Sequence, residues 1–451
     1  MVRCEKTAGI YPLELPKGNI MVTLLSLSVA LLVGLVLSRL AKLCKLPAVT
    51  AYLITGILIG PYLLGALGVE GLGFTSMEQL HGLGLIPDVA LGFIAFSIGN
   101  EFRLGQLKKT GKQATIIGIF QAVVTTILVD VVLICVHFIW PHVLSLPAAI
   151  VLGAVASATA PAATLMVVRQ YKAKGALTDI LLPVVALDDA VGLVLFAVSF
   201  GVAKALNAGA VDVLSVVLEP LLEVVLSLGL GFLMGWLFTF CEKFFHSRSK
   251  RLSVSVAFVF LTTGISMMQF DLFGVHIAFS SLLSCMMLGT VFCNLCDVSE
   301  ELMDRMERWT APLYILFFVI SGAELELSVF ASLPVVAIGV IYVLARSAGK
   351  YSGAFLSAKA VKCDEHIVKY LGVTLLPQAG VALGMAIKAM ALGPDGQMVS
   401  NITLFAVLIY ELVGPMLTKI ALTRAGDITP EGKVSARELA KAAIAEKKGN
   451  K

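Results

Sequence analysis

Asp188 and Asp189 stand side by side within Val184–Phe196, a run whose other members are all apolar or glycine. An ionised carboxylate at the centre of a bilayer costs at least about 2.5 kcal/mol. Each of two neighbours also disfavours ionisation of the other. Packing is a poor reason to keep such a pair; exchanging a proton for a hard cation is a good one. Three further stretches carry matching chemistry. Ser157-Ala-Thr159-Ala-Pro161 joins two hydroxyls to a proline that removes a backbone donor and frees carbonyls near Ser157. Pro377-Gln378-Ala379-Gly380 repeats that helix-breaking pattern, and Arg346 and Lys350, one turn apart, supply cations. Oxygens from Asp189, Thr159, Ser157 and freed carbonyls suit Na⁺, Li⁺ or K⁺.

Adjacent residues on a helix point about 100° apart, so one aspartate can face a cavity while its neighbour faces another span. A proton and a small cation would then compete for one carboxylate. Competition at a site exposed alternately to the two sides is sufficient for exchange, without nucleotide.

The elements holding these groups must be membrane helices. The 451 residues are 58% hydrophobic and 14% charged, with a formal charge of +4 and a mean hydropathy of +0.93. Soluble domains are about one quarter charged. About twenty apolar residues cross the bilayer core. Spans are expected near 20–39, 47–66, 84–99, 114–139, 147–168, 177–203, 213–240, 252–268, 272–293, 312–329, 334–357, 366–391 and 398–423. The fold class is thus all-α and polytopic, with about thirteen spans. Residues 1–19 form an extracellular segment, 20–424 the membrane domain and 425–451 a short charged cytoplasmic tail.

Lys and Arg cluster in alternate loops, for example Arg103/Lys108/Lys109/Lys112 and Arg169/Lys172/Lys174. That asymmetry puts the amino terminus outside and the carboxyl terminus in the cytoplasm of a plasma (inner) membrane. With this orientation, Asp188 and Asp189 lie about 17 Å into the sixth span, near the midplane. The breaks in the fifth and twelfth spans reach the same depth, as does Arg346 in the eleventh, with Lys350 one turn nearer the cytoplasm. The fifth and twelfth spans are seven apart, an odd offset, so equivalent helices run in opposite directions. An inverted-topology repeat with two crossed broken helices has that arrangement.

Other features weigh less. Asp130, Glu219, Glu223, Glu324 and Glu326 fall toward the outer side, where they either line a funnel or sit at the interface. Glu411, deeper and followed by Gly414-Pro415, is a candidate gate or secondary site, as is Glu101 at the cytoplasmic end of the third span. Eight cysteines give no disulfide framework, and Cys293-Asn-Leu-Cys296 lacks a second ligand pair. No Walker A loop or glycine-rich dinucleotide motif occurs, so nucleotide-driven pumping has no place in the chain. No cofactor, enzymatic activity or nucleic-acid partner is indicated.

The order of motifs resembles the monovalent cation:proton antiporter superfamily, which includes bacterial sodium/proton and potassium/proton exchangers. Leu46-Pro47-Ala-Val-Thr-Ala-Tyr-Leu-Ile-Thr-Gly56-Ile-Leu-Ile-Gly60-Pro61 is similar to the family's second helix. Phe273-Gly274-Val275-His276 with Leu288-Gly289 resembles the ninth, Pro312 to Gly322 the tenth, and Ala345-Arg346-Ser-Ala-Gly349-Lys350 the eleventh. The resemblance implies a thirteen-helix homodimer, with dimerisation helices and a six-helix core domain that moves against them. It makes Asp189 the ion-binding carboxylate, Asp188 the partner of Arg346, and Thr159 the polar residue at the fifth-helix break. Two positions depart from the pattern. Ala160 stands where many members have Asp, and Arg346 where relatives with two aspartates commonly have Lys. Arg cannot give up its proton, so with Arg346 facing Asp188 the expectation is electroneutral one-for-one exchange. Sodium-coupled symport of an organic anion is the first alternative, and a cation channel or sensor the second.

Overall fold

The computed structural model describes residues 17–428, apart from 45, 101, 209–212, 269, 273–274, 278, 297 and 326–330. Glu101 and Glu326, most of the amino-terminal segment and the tail beyond Ile428 therefore lie outside the described residues. The helices are α1 (Lys17–Leu43), α2 (Ala48–Ile59), α3 (Met77–His81), α4 (Leu85–Gly99), α5 (Leu104–Ile139), α6 (Leu146–Val155), α7 (Pro161–Gln170) and α8 (Ala176–Ala208). There follow α9 (Val213–Glu242), α10 (Arg248–Ser266), α11 (Ser281–Leu295), α12 (Ser299–Ala323), α13 (Leu333–Ala360), α14 (Glu365–Thr374), α15 (Gly380–Ala389) and α16 (Pro394–Ala425). Among the described residues, seven helical stretches are long and apolar enough to cross a membrane, one of them running from α2 on to Leu67. Each of the thirteen expected spans is met by one helix or by a pair of half-helices.

The ninth span needs correction. Its expected start at 272 is instead a two-stranded antiparallel hairpin, β1 (Phe270–Leu272) with β2 (Val275–Ile277). The helix begins only at Ser281, where the Ser280 hydroxyl accepts from the Leu283 amide at 3.3 Å. A hydroxyl at that position satisfies one of the orphan amides of the first turn and fixes the start.

The two broken spans are legible as half-helices with their own signals. Ser145 caps α6, with Pro in its first turn, and Asp364 caps α14 by accepting from the His366 amide at 2.9 Å. Pro161 is the first residue of α7, where its missing N–H costs nothing and its fixed φ suits the helix. It opens the second half of the span rather than kinking one continuous helix. At the other end of the described chain, the Asp427 carboxylate accepts from the amide and hydroxyl of Thr178, both at 2.7 Å. The start of the tail is thereby fastened to the first turn of the helix that carries the paired aspartates.

Packing divides the helices into two bundles. One core, around Phe93, Phe96, Phe238, Phe292 and Phe318, is built mainly from α1, α2, α4 and α9–α12, with Ala162 and Leu165 of α7 and Leu182 and Ala186 of α8 packed into it. The other two cores, around Val151, Tyr342 and Phe405 and around Ile117, Leu181 and Leu371, are built from α5–α8 and α13–α16. The second bundle thus consists of spans 4–6 and 11–13, the two inverted triplets. Its most extensive contact is α13 against α5. Gly349 and Gly353 make that contact possible, since a Cβ on either would come within 2.9 Å of the Thr125 or Gln121 Cα. A small-xxx-small pair lets two membrane helices approach to backbone contact. It also brings Lys350 and Gln121 to the same level as Asp188.

Candidate ion-exchange site

The breaks cross at the centre of the second bundle. Val155 ends α6 and Thr374 ends α14, so two helix carboxyl ends converge with unpaired carbonyls and partial negative charge. The Ala160 amide donates to the Pro377 carbonyl at 2.8 Å, tying one break to the other. The Gln378 amide nitrogen donates to the Val155 carbonyl at 3.0 Å and to the Tyr342 hydroxyl at 3.1 Å.

Arg346, fully buried, spends its guanidinium on three of the freed carbonyls: Ala156 at 2.9 Å, Leu376 at 2.7 Å and Ala158 at 2.6 Å. Its face lies over the Tyr410 ring, 4.4 Å from the centroid. The expected Asp188–Arg346 pair is therefore not formed. A planar fork of five donors matches carbonyls diverging from two helix ends, and a compact ammonium does not.

Lys350, one turn further along the same face of α13, takes the carboxylate instead. Its ammonium lies 2.6 Å from Asp188 Oδ2 and 2.9 Å from Thr159 Oγ1, and it also donates to the Ser157 carbonyl. Three donors meet three acceptors, which satisfies the group completely. Thr159 in turn donates its one proton to Asp188 Oδ2, and Gln121 donates to Asp188 Oδ1. Asp188 is thus a carboxylate with three contacts, one each from Lys350, Thr159 and Gln121, all of them buried.

Asp189 has the opposite surroundings. It is 1% exposed, and neither carboxylate oxygen has a hydrogen-bond partner. Thr159, expected beside it, serves Asp188. Ser157 comes closer to its neighbourhood: a Cβ on Gly192, one turn along α8 from Asp189, would sit 2.9 Å from Ser157 Oγ. Sequence reasoning passed over Gln121. Its signal was a lone amide in the apolar run Ile116–Val123, where an uncharged polar side chain still asks for a partner.

A cavity of about 530 Å³ separates the two bundles on one side of the crossing. Its lining includes Ala160 and Pro161, Ala379 and Gly380, and Leu193, one turn along α8 from Asp189. Glu223 and Glu324, left open between funnel and interface by the sequence, line this cavity together with Asp88 and Glu411. Asp130 is absent from that lining; it packs against Gly153 of α6. At the other end of α7, about 15 Å away along the helix axis, the bundles are closed. Arg169 pairs with Glu307 at 3.1 Å, the Gln170 side chain accepts from the Ala48 amide at 2.8 Å, and the Tyr171 hydroxyl donates to the Leu46 carbonyl at 3.4 Å. A cavity thus opens on one side of the crossing, and these three contacts join the bundles on the other.

Residues 27–424 match the family described as the transmembrane sodium/hydrogen exchanger. The chain belongs to the sodium/hydrogen exchanger family. It is accordingly a multi-pass membrane cation:proton antiporter and not an enzyme. The Na(+)/H(+) antiporter NhaS4 of Synechocystis sp. is 24% identical over 405 residues, covering 87% of this chain and 95% of that protein. Two structures of the sodium proton antiporter MjNhaP1 from Methanocaldococcus jannaschii share the fold. The one at pH 8 has a TM-score of 0.64 at 18% identity, covering 90% of this chain and 99% of the other. The electron-microscopy structure has a TM-score of 0.69 at 17% identity, covering 91% and 100%.

Thr159 touches both Asp188 and Lys350. Thr159→Val removes two charge-assisted hydrogen bonds yet leaves both aspartates in place. The cation concentration for half-maximal exchange should rise about tenfold, with maximal rate much less affected. Half-saturation in proteoliposomes measures this, and an unchanged value would remove Thr159 from the site.

Proposed function

We propose that this exchanger moves a monovalent cation, Na⁺ foremost and Li⁺ or K⁺ within its chemistry, against protons at Asp189. The observation that carries the proposal is the contrast between neighbours. Asp188 is saturated with donors, whereas Asp189 is buried with both oxygens unpartnered. A buried carboxylate without a partner is stable only when a proton or a cation compensates it. Binding one requires releasing the other. The Synechocystis relative, named as a Na(+)/H(+) antiporter, supports Na⁺ as the first cation to test.

In this reading, the α5–α8 and α13–α16 bundle carries the crossing and the aspartates past the other bundle, which forms the dimer contact of a homodimer. The loop charges support an amino terminus outside and the carboxyl terminus in the cytoplasm of the plasma (inner) membrane. The open cavity then faces outward, and the Arg169–Glu307 closure is cytoplasmic.

The ionic partner of Asp188 bears on stoichiometry. The expectation of electroneutral exchange rested on Arg346 facing Asp188, and that premise is gone. An ammonium can shed its proton where a guanidinium cannot. A cation bound between the aspartates draws Asp188 away from Lys350, which then releases a proton in addition to the one from Asp189. Exchange is therefore electrogenic, with about two protons per cation. The test uses proteoliposomes with equal pH and equal Na⁺ on both sides and an imposed inside-negative potential. Net expulsion of Na⁺ supports the proposal; absence of any response to voltage means one-for-one exchange and contradicts it.

A further inference from the structure

Glu411 has no part in the crossing, yet its setting is as unusual as that of Asp189. It lies in α16, one turn before Gly414, whose Cα hydrogens face Pro377 in the α14–α15 break; a Cβ there would meet the proline at 3.0 Å. The side chain lines the 530 Å³ cavity but is only 4% exposed, and its Oε2 has no hydrogen-bond partner. Among the described residues, three other carboxylates line the same cavity, Asp88, Glu223 and Glu324, against one ammonium, Lys388. Lys388 is already committed to Glu223 at 3.1 Å. The amino ends of α7 and α15 also open on the cavity and bring partial positive charge there. One paired ammonium and two helix ends do not balance four carboxylates, so the cavity attracts cations. Ser281 adds a hydroxyl to the cavity lining.

We infer that Glu411 is the anchoring ligand of a second monovalent-cation site, in the cavity and distinct from Asp189. A buried carboxylate with a free oxygen demands a counter-charge. The hard oxygens around the cavity suit an alkali cation rather than a soft metal. The site holds the cation beside Glu411, in the cavity that Asp88, Glu223 and Glu324 also line. Its role as a loading station rests on the reading of Asp189 as the exchange carboxylate, but its existence does not.

The experiment is isothermal calorimetry of sodium chloride titrated into purified Asp189→Asn protein, with choline chloride as the control. Asp189→Asn should still bind Na⁺. Adding Glu411→Gln should abolish that binding, and Glu411→Asp should restore it while both proteins elute as the same species in size exclusion. In the otherwise native exchanger, Glu411→Gln should raise the half-saturating Na⁺ concentration roughly fivefold. Failure of Asp189→Asn to bind Na⁺, or equal binding with and without Glu411, overturns the second site. Undiminished Na⁺-driven proton flux through Asp189→Asn is a separate outcome, read in liposomes, and overturns the Asp189 reading instead.

Discussion

Replacing Asp189 by Asn is expected to abolish cation-dependent proton movement, with a loss of at least about a thousandfold, while leaving the fold intact. The amide is nearly the size of the carboxylate but carries no titrating proton and no charge to bind a cation. No structural bond is lost, because neither oxygen of Asp189 makes one. Thermal stability should therefore hold or rise, since a buried ionisable group has been replaced by a neutral one. Asp188→Asn should behave differently. It removes the ionic partner of Lys350 and strands a buried ammonium, so it should lower both stability and exchange. Equal stability and equal activity of the two variants would dissolve the division between them.

Arg346→Ala should destabilise the protein by about 3–5 kcal/mol. Among the described residues, the guanidinium is the one side-chain donor to the carbonyls of Ala156, Ala158 and Leu376, and these belong to both breaks. Without it, two helix carboxyl ends face each other with buried, unpaired carbonyls. The expected reading is a large fall in the unfolding midpoint of the purified protein. Arg346→Lys should recover only part of it, since an ammonium cannot reproduce the planar fork. An unfolding midpoint equal to that of the native protein would mean that the crossing is held by other bonds.

The spans, the two breaks and their shared depth were legible because apolar run length, proline placement and loop charge each act locally. The carboxylate pair was legible because charge is costly in hydrocarbon. Which cation takes which acceptor was not. Arg346 and Lys350 lie one turn apart on the same face of α13, so helical periodicity gives them equal claims on Asp188. The choice depends on where the freed carbonyls point, and that follows only once α6 and α14 meet. The chemistry of hard oxygen ligands groups Thr159 with Asp189, whereas the hydroxyl lies within reach of Lys350 and Asp188. Gln121 was missed because its role depends on Gly353 admitting α5 to backbone contact with α13, a long-range pairing. The ninth span began late for a different reason: Phe270–Ile277 is apolar enough for a helix, and its hairpin comes from pairing between short strands.

The central claim is that one proton and one cation compete for Asp189, and proton release on cation binding tests it most directly. Sodium chloride would be added to detergent-purified protein in weakly buffered solution with a pH dye, choline chloride serving as control. The native protein should release protons on adding Na⁺, and Asp189→Asn should release at least one fewer per protomer and support no exchange after reconstitution. Release from Asp189→Asn equal to that of the native protein, with exchange preserved, would contradict the account.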